Sequence, residues 1–142
     1  MQRYAEFGDA ARIYGGHGPA VEDARAKLDE YIAHRKLREA ELLAALRTAP
    51  MTIPQLVLAI YGTTRPVLWP AAARQLLAYL IALSEEGTVS ARALDRPMTE
   101  QENTILNPAW ESIVGAEHAP VIRAELGAML KLDTLYEYQL SP

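Results

Sequence analysis

The chain has 142 residues, half of them apolar and none of them cysteine, which suits one domain or a small domain with a tail. That composition supports a packed core and excludes a disulfide scaffold or a thiolate metal site. The net charge of −4 is uneven: residues 1–48 balance eight basic against eight acidic groups, 51–96 hold four against three, and 97–142 hold two against seven. No segment has the cationic excess of a free-standing nucleic-acid binder.

Residues 1–9 contain no long apolar stretch and do not read as a secretory signal. Every other apolar run is shorter than the ~20 residues a membrane span needs. Arg12-Ile13-Tyr14 reads as a short extended segment that enters a tight loop at Gly15-Gly16. His17 stands in that loop, within Gly-His-Gly-Pro, and has the look of a metal ligand. A buried metal needs three or four donors held together. The other two histidines, His34 and His118, are not at ligand spacing from it, so within this chain the plain reading of His17 is an exposed loop residue.

After Pro19, residues 21–47 read as one long helix. Ala24, Leu28, Tyr31, Ile32, Leu42, Leu43 and Leu46 lie largely on one side. Asp23 and Lys27 are spaced as an i, i+4 pair, and Ala49-Pro50 ends the helix. Its densest basic cluster is His34, Arg35, Lys36 and Arg38, with Lys27 two turns earlier. These groups could touch RNA phosphates, or form a solvated face paired with Glu39 and Glu41.

Thr52-Ile53-Pro54-Gln55 opens a second, short helix: Thr52 caps, Gln55 reaches back, and Pro54 sits where its missing N–H costs nothing. Gly62 stops it, residues 63–70 read as a linker, and 71–86 form a third helix with Leu76, Leu77, Leu80, Ile81 and Leu83. Gly87 is its expected C-terminal cap, and 88–92 a strand. Helix, short helix, helix, glycine and strand is the order of a winged helix-turn-helix. Base readers in a major groove are Arg, Asn or Gln. The third helix offers only Arg74 and Gln75, so it reads as a packing module.

The remainder reads as a helical tail. A Thr99…Glu102 capping box starts one helix, which ends at Asn107-Pro108, and 120–132 form another with Val121, Ile122, Leu126, Met129, Leu130 and Leu132. Trp69 and Trp110 sit beside proline-containing turns and read either as residues that close a helix start on the core or as anchors for a partner. There is no nucleophilic triad, phosphate loop or paired-carboxylate site.

Gly-His-Gly-Pro at 16–19, Lys27-Leu28, Tyr31 to Arg35, Arg38-Glu39, Ile60-Tyr61, Ala71-Ala72, Leu80, Leu83 and Glu86 to Val89 together resemble the C-terminal part of the β-lactamase-like protein 2 group of metallo-β-lactamase-fold hydrolases. The resemblance covers roughly residues 8–92. It implies a dizinc hydrolase domain upstream of a winged-helix-like domain, with His17 matching that domain's last metal ligand. It also implies a parent chemistry of zinc-dependent hydrolysis of RNA phosphodiesters or thioesters, with a cytoplasmic or mitochondrial address.

The fold expected is mainly α: a remnant of the hydrolase domain at 1–19, a winged helix-turn-helix-like domain with a small β wing at 20–95, and a helical acidic tail at 97–142. The function expected is a non-catalytic accessory domain, without a cofactor of its own, that packs on a hydrolase domain of the same family. A nucleic-acid-binding winged helix and a self-associating helical protein are the alternatives, and no DNA readout or membrane is expected. The chain is expected to be a fragment or a truncated product.

Overall fold

The long helix α1, Ala24–Thr48, begins where Asp23 can cap it: its Oδ1 accepts from the Ala26 N–H at 2.8 Å. That is three residues later than the helical periodicity suggested. With its carboxylate spent on the cap, Asp23 is not the partner of Lys27. Lys27 instead reaches forward to Glu30, with both carboxylate oxygens at 2.8 Å. The computed structural model describes residues 12–15, 18–130 and 134–142. It divides into two compact units, Met1–Ala40 and Glu41–Pro142. In the first, the expected extended segment makes a single antiparallel bridge: Ile13 N–H donates to the Val21 carbonyl at 3.0 Å and Val21 N–H returns the bond at 2.8 Å. Arg12 pairs with Glu22 beside it at 2.7 Å. His17 lies outside the described residues.

In the second unit the end of α1 buries Leu42 and Leu46. A two-residue strand β1, Met51–Thr52, leads into α2, Ile53–Tyr61. Gln55 Oε1 accepts from the Thr52 N–H at 2.8 Å, as the capping pattern requires. A Cβ at Gly62 would collide with the Leu58 carbonyl, which explains a glycine where α2 stops.

The segment 63–70 is less of a linker than its prolines suggested. Pro66–Leu68 form a 3-10 turn, and α3 runs Trp69–Glu85. Pro66 and Pro70 each fall in a first helical turn, where a missing N–H is one of the orphans anyway. Pro66–Glu85 is long and apolar enough to cross a membrane, although every apolar run was set well below that length. Its stripe of Ala72, Ala73, Leu76, Leu80 and Leu83 is buried in the core of this unit.

Gly87, at φ +76°, ends α3 as expected. Thr88 N–H donates to the Leu83 carbonyl at 2.8 Å and Gly87 N–H to the Ser84 carbonyl at 3.1 Å, the two bonds of a Schellman cap.

The strand β2, Val89–Ala93, follows. Three helices come next: α4 (Glu100–Leu106), α5 (Trp110–Val114) and α6 (Ala119–Leu130). The reading of 120–132 as a helix holds to residue 130; Leu132 lies outside the described residues. The chain then forms β3, Tyr136–Leu140. This strand and α5 were not foreseen. β3 is the middle strand of an antiparallel sheet in the order β1-β3-β2. Tyr138 faces Met51 on one side and Ala91 on the other. Register is pinned where Arg92 stands opposite Glu137, with Nη2 and Oε2 2.6 Å apart. The fold is thus mainly helical with a small sheet, and its last strand is supplied by the region read as a helical tail.

Candidate functional site

The basic residues of α1 do not converge. At 3.6 residues per turn, Lys27, His34 and Arg38 share a face, whereas Lys36 points away on the opposite side. His34, Arg35 and Lys36 are exposed and Arg38 is half-buried. Lys27 is committed: it is hydrogen-bonded to Glu30, which raises its pKa, and its ammonium lies 5.3 Å from the centre of the Tyr31 ring. Arg35, Arg38 and Glu41 are each held by an interaction. The arrangement offers single cations to solvent rather than a groove for a backbone.

Both tryptophans are used inside the fold. Trp69 opens α3, and its Nε1 donates to the Tyr61 carbonyl at 3.1 Å. The same carbonyl accepts from Thr64, from N–H at 2.9 Å and from Oγ1 at 2.6 Å. Three donors on one carbonyl at the end of α2 tie the turn between α2 and α3. Trp110 opens α5 and is buried, with no hydrogen-bond partner for Nε1. A buried ring anchors its own helix and cannot reach a partner without local opening.

On α3, Gln75 is half-buried and accepts from the Tyr61 hydroxyl at 3.5 Å. The outward face is Ala71, Arg74, Ala78, Ile81, Ala82 and Glu85, all exposed. It carries one cation and one anion among small and apolar groups. Direct readout of bases needs several convergent donors and acceptors, and this face does not supply them.

The most constrained polar cluster is one that sequence spacing shows only in part. Glu102 is buried at the start of α4. Its carboxylate takes two bonds from Arg96, at 2.8 and 2.9 Å, one from the Thr99 N–H at 2.9 Å, and one from the Thr52 hydroxyl at 3.4 Å. Glu102 N–H in turn donates to Thr99 Oγ1 at 3.2 Å. The capping box was legible at its three-residue spacing. Arg96 and Thr52 were not, because only tertiary structure brings them there. The Arg96 hydrogen bonds hold the Glu102 carboxyl at about 2, against the opposing effect of burial. A carboxylate so well supplied with donors stays ionised near neutral pH. Among the described residues no three His, Asp or Glu side chains form a group that could hold a metal ion.

Comparison with known proteins agrees with the winged-helix reading of this fold. Residues 52–95 match the family described as beta-lactamase associated winged helix domain. A beta-lactamase-like protein 2 homolog of Drosophila melanogaster is 35% identical over 79 residues, 54% of this chain and 27% of that protein. The Caenorhabditis elegans protein of the same description is 49% identical over 39 residues, 28% of this chain and 13% of that one. Lactamase-like protein nscB of Arthroderma benhamiae is 34% identical over 103 residues, 62% of this chain and 23% of nscB. The chain therefore spans no more than about a quarter of the length of these relatives. Helix, turn, helix and strand in the expected order, together with these matches, show a beta-lactamase associated winged helix domain at residues 52–95 and support its likeness to the C-terminal winged-helix region of the β-lactamase-like protein 2 group.

Proposed function

We propose that this winged helix is a non-catalytic accessory domain that packs on a β-lactamase-fold hydrolase domain and shapes access to its site. The observation that carries the reading is the outward face of α3, where Ala71, Ala78, Ile81 and Ala82 leave a nearly neutral surface. Such a face suits close packing against protein better than contact with phosphates. In this reading the zinc ions and the hydrolytic step belong to the hydrolase domain, and the winged helix needs no cofactor. The expected setting is the cytoplasm. The test is titration of the full chain against a purified hydrolase domain of the family. Ile81→Asp, at an exposed position, is expected to weaken binding at least tenfold with an unchanged circular dichroism spectrum. Unchanged binding, or hydrolysis of RNA or a thioester by this chain alone, sinks the reading.

A second reading rests on the exposure of His34, Arg35 and Lys36: contact with RNA phosphates. Binding to single-stranded RNA that weakens steeply with salt would support it, and no binding at low salt would end it. Self-association is a third, favoured by the exposure of Tyr31, Leu37 and Ile81; a sedimentation profile of monomer alone counts against it.

A further inference from the structure

In a winged helix the wing is the connection between the last two strands, and antiparallel neighbours are usually joined by two to five residues. Here β2 and β3 are such neighbours, paired over five residues from Val89↔Leu140 to Ala93↔Tyr136. The ladder continues to the mouth of the connection, where Leu94 N–H donates to the Leu135 carbonyl at 2.8 Å. Between those two residues the chain makes α4, α5 and α6. By topology residues 94–135 are therefore the wing, grown into a three-helix insertion. The domain match ends at residue 95, where this wing begins.

The insertion does not stand away from the domain. α4 packs on α2 and α3, and α6 packs on α3. Ile105, Leu106 and Leu130 join Leu56, Leu76 and Leu80 in one buried cluster. One buried polar tie fixes α4 to the junction of β1 and α2: Glu102 accepts from the Thr52 hydroxyl there, while Arg96, just beyond the wing's entry strand, clamps it. Thr52 is itself buried.

We propose that the enlarged wing is a hinged cap on the α2–α3 layer, pivoting on the β2–β3 ladder and latched by Arg96, Glu102 and Thr52. When the latch opens, α4 leaves as a unit and bares the apolar surface under Ile105 and Leu106, while α2 and α3 keep their own packing. The inference concerns this unit alone and does not depend on the accessory role proposed above.

Hydrogen exchange on the full chain, read by mass spectrometry, tests it. Arg96→Ala should speed exchange of the α4 amides at least tenfold and leave those of α2 and α3 within twofold of the native chain. Exchange that rises in all three helices together would show that the wing is an inseparable part of the core. Exchange unchanged in α4 would show that the arginine latches nothing. Should the variant fail to fold, the native chain in sub-denaturing urea gives the same answer: α4 amides are expected to open at lower urea than those of α2 and α3, and coincident opening overturns the cap.

Discussion

Two arginine–glutamate pairs staple the wing, one at its foot and one near its tip, and their chemistry is the same. At the foot, Arg96 holds Glu102 with bonds of 2.8 and 2.9 Å; at the tip, Arg123 holds Glu111 across α5 and α6 with bonds of 2.6 and 2.7 Å. Both carboxyls are held at about 2, in each case chiefly by hydrogen bonds from the arginine. Their surroundings differ. The Glu102 side chain is 9% exposed and that of Glu111 50% exposed. A carboxyl's proton affinity reports the bonds it accepts, whereas its contribution to stability depends on what becomes of each group when the pair breaks. Glu111 and Arg123 can return to water. Glu102 leaves a buried hydroxyl and an orphan helix N–H behind.

The comparison has a background term, the apolar packing that brings the foot into the core, and its loss should be the largest effect. Leu106 is 1% exposed beside α2 and α3. Leu106→Ala should cost about 2–5 kcal/mol in a urea denaturation, as deletions of fully buried leucine do. Leu80→Ala, at the centre of α3, should cost about as much by the same principle. If Leu106→Ala costs under about 1 kcal/mol, the foot is not in the core and the contrast with the tip collapses.

Next comes the foot's polar tie. Glu102→Ala should cost about 1–3 kcal/mol, because the Thr99 N–H and the Thr52 hydroxyl lose their acceptor, discounted for the half-exposed Arg96. Glu102→Gln keeps an acceptor for the cap and should recover part of the loss. Full recovery would show that charge adds nothing there.

What the sequence disclosed about these two regions follows the range of the interactions. The Thr99…Glu102 and Thr52…Gln55 caps were legible because each closes over three residues. Arg96 became Glu102's partner, and Thr52 its neighbour across fifty positions, only through the fold. β3 is legible in the sequence, where Tyr136, Tyr138 and Leu140 alternate with Glu137 and Gln139, but five residues of alternation are a weak signal beside two helical segments. α5, Trp110–Val114, is too short for periodicity to show. The fragment that carries the family match was read nearly whole because its signals are local: caps, first-turn prolines and a terminal glycine. The wing's place in the sheet was not, because a pairing across residues 94–135 leaves no local trace.

A smaller effect tests the turn that joins α3 to β2. A Cβ at Gly87 meets no atom within 4 Å, so only its φ of +76° resists substitution. Gly87→Ala should cost about 1 kcal/mol, the penalty of a left-handed conformation for an L residue. A loss several times larger would mean that the Schellman turn sets the geometry of the whole wing.

The smallest effect belongs to the tip. Glu111→Gln should leave the denaturation midpoint at neutral pH unchanged within error, since an exposed pair gains little over its hydrated state. Acid separates the two carboxyls further. The Glu102 carboxyl, held at about 2 in the folded chain against an ordinary 4.5, stabilises fully above pH 4.5 and loses that contribution as pH falls through about 2. Glu102→Gln should therefore flatten the stability curve between pH 4.5 and 2, in low salt and in 1 M NaCl alike. Glu111→Gln should leave the shape of the curve unchanged, because solvent screens the exposed pair. Equal flattening by the two variants in 1 M NaCl would mean that burial does not distinguish foot from tip, and that hydrogen-bond geometry alone sets what each pair contributes.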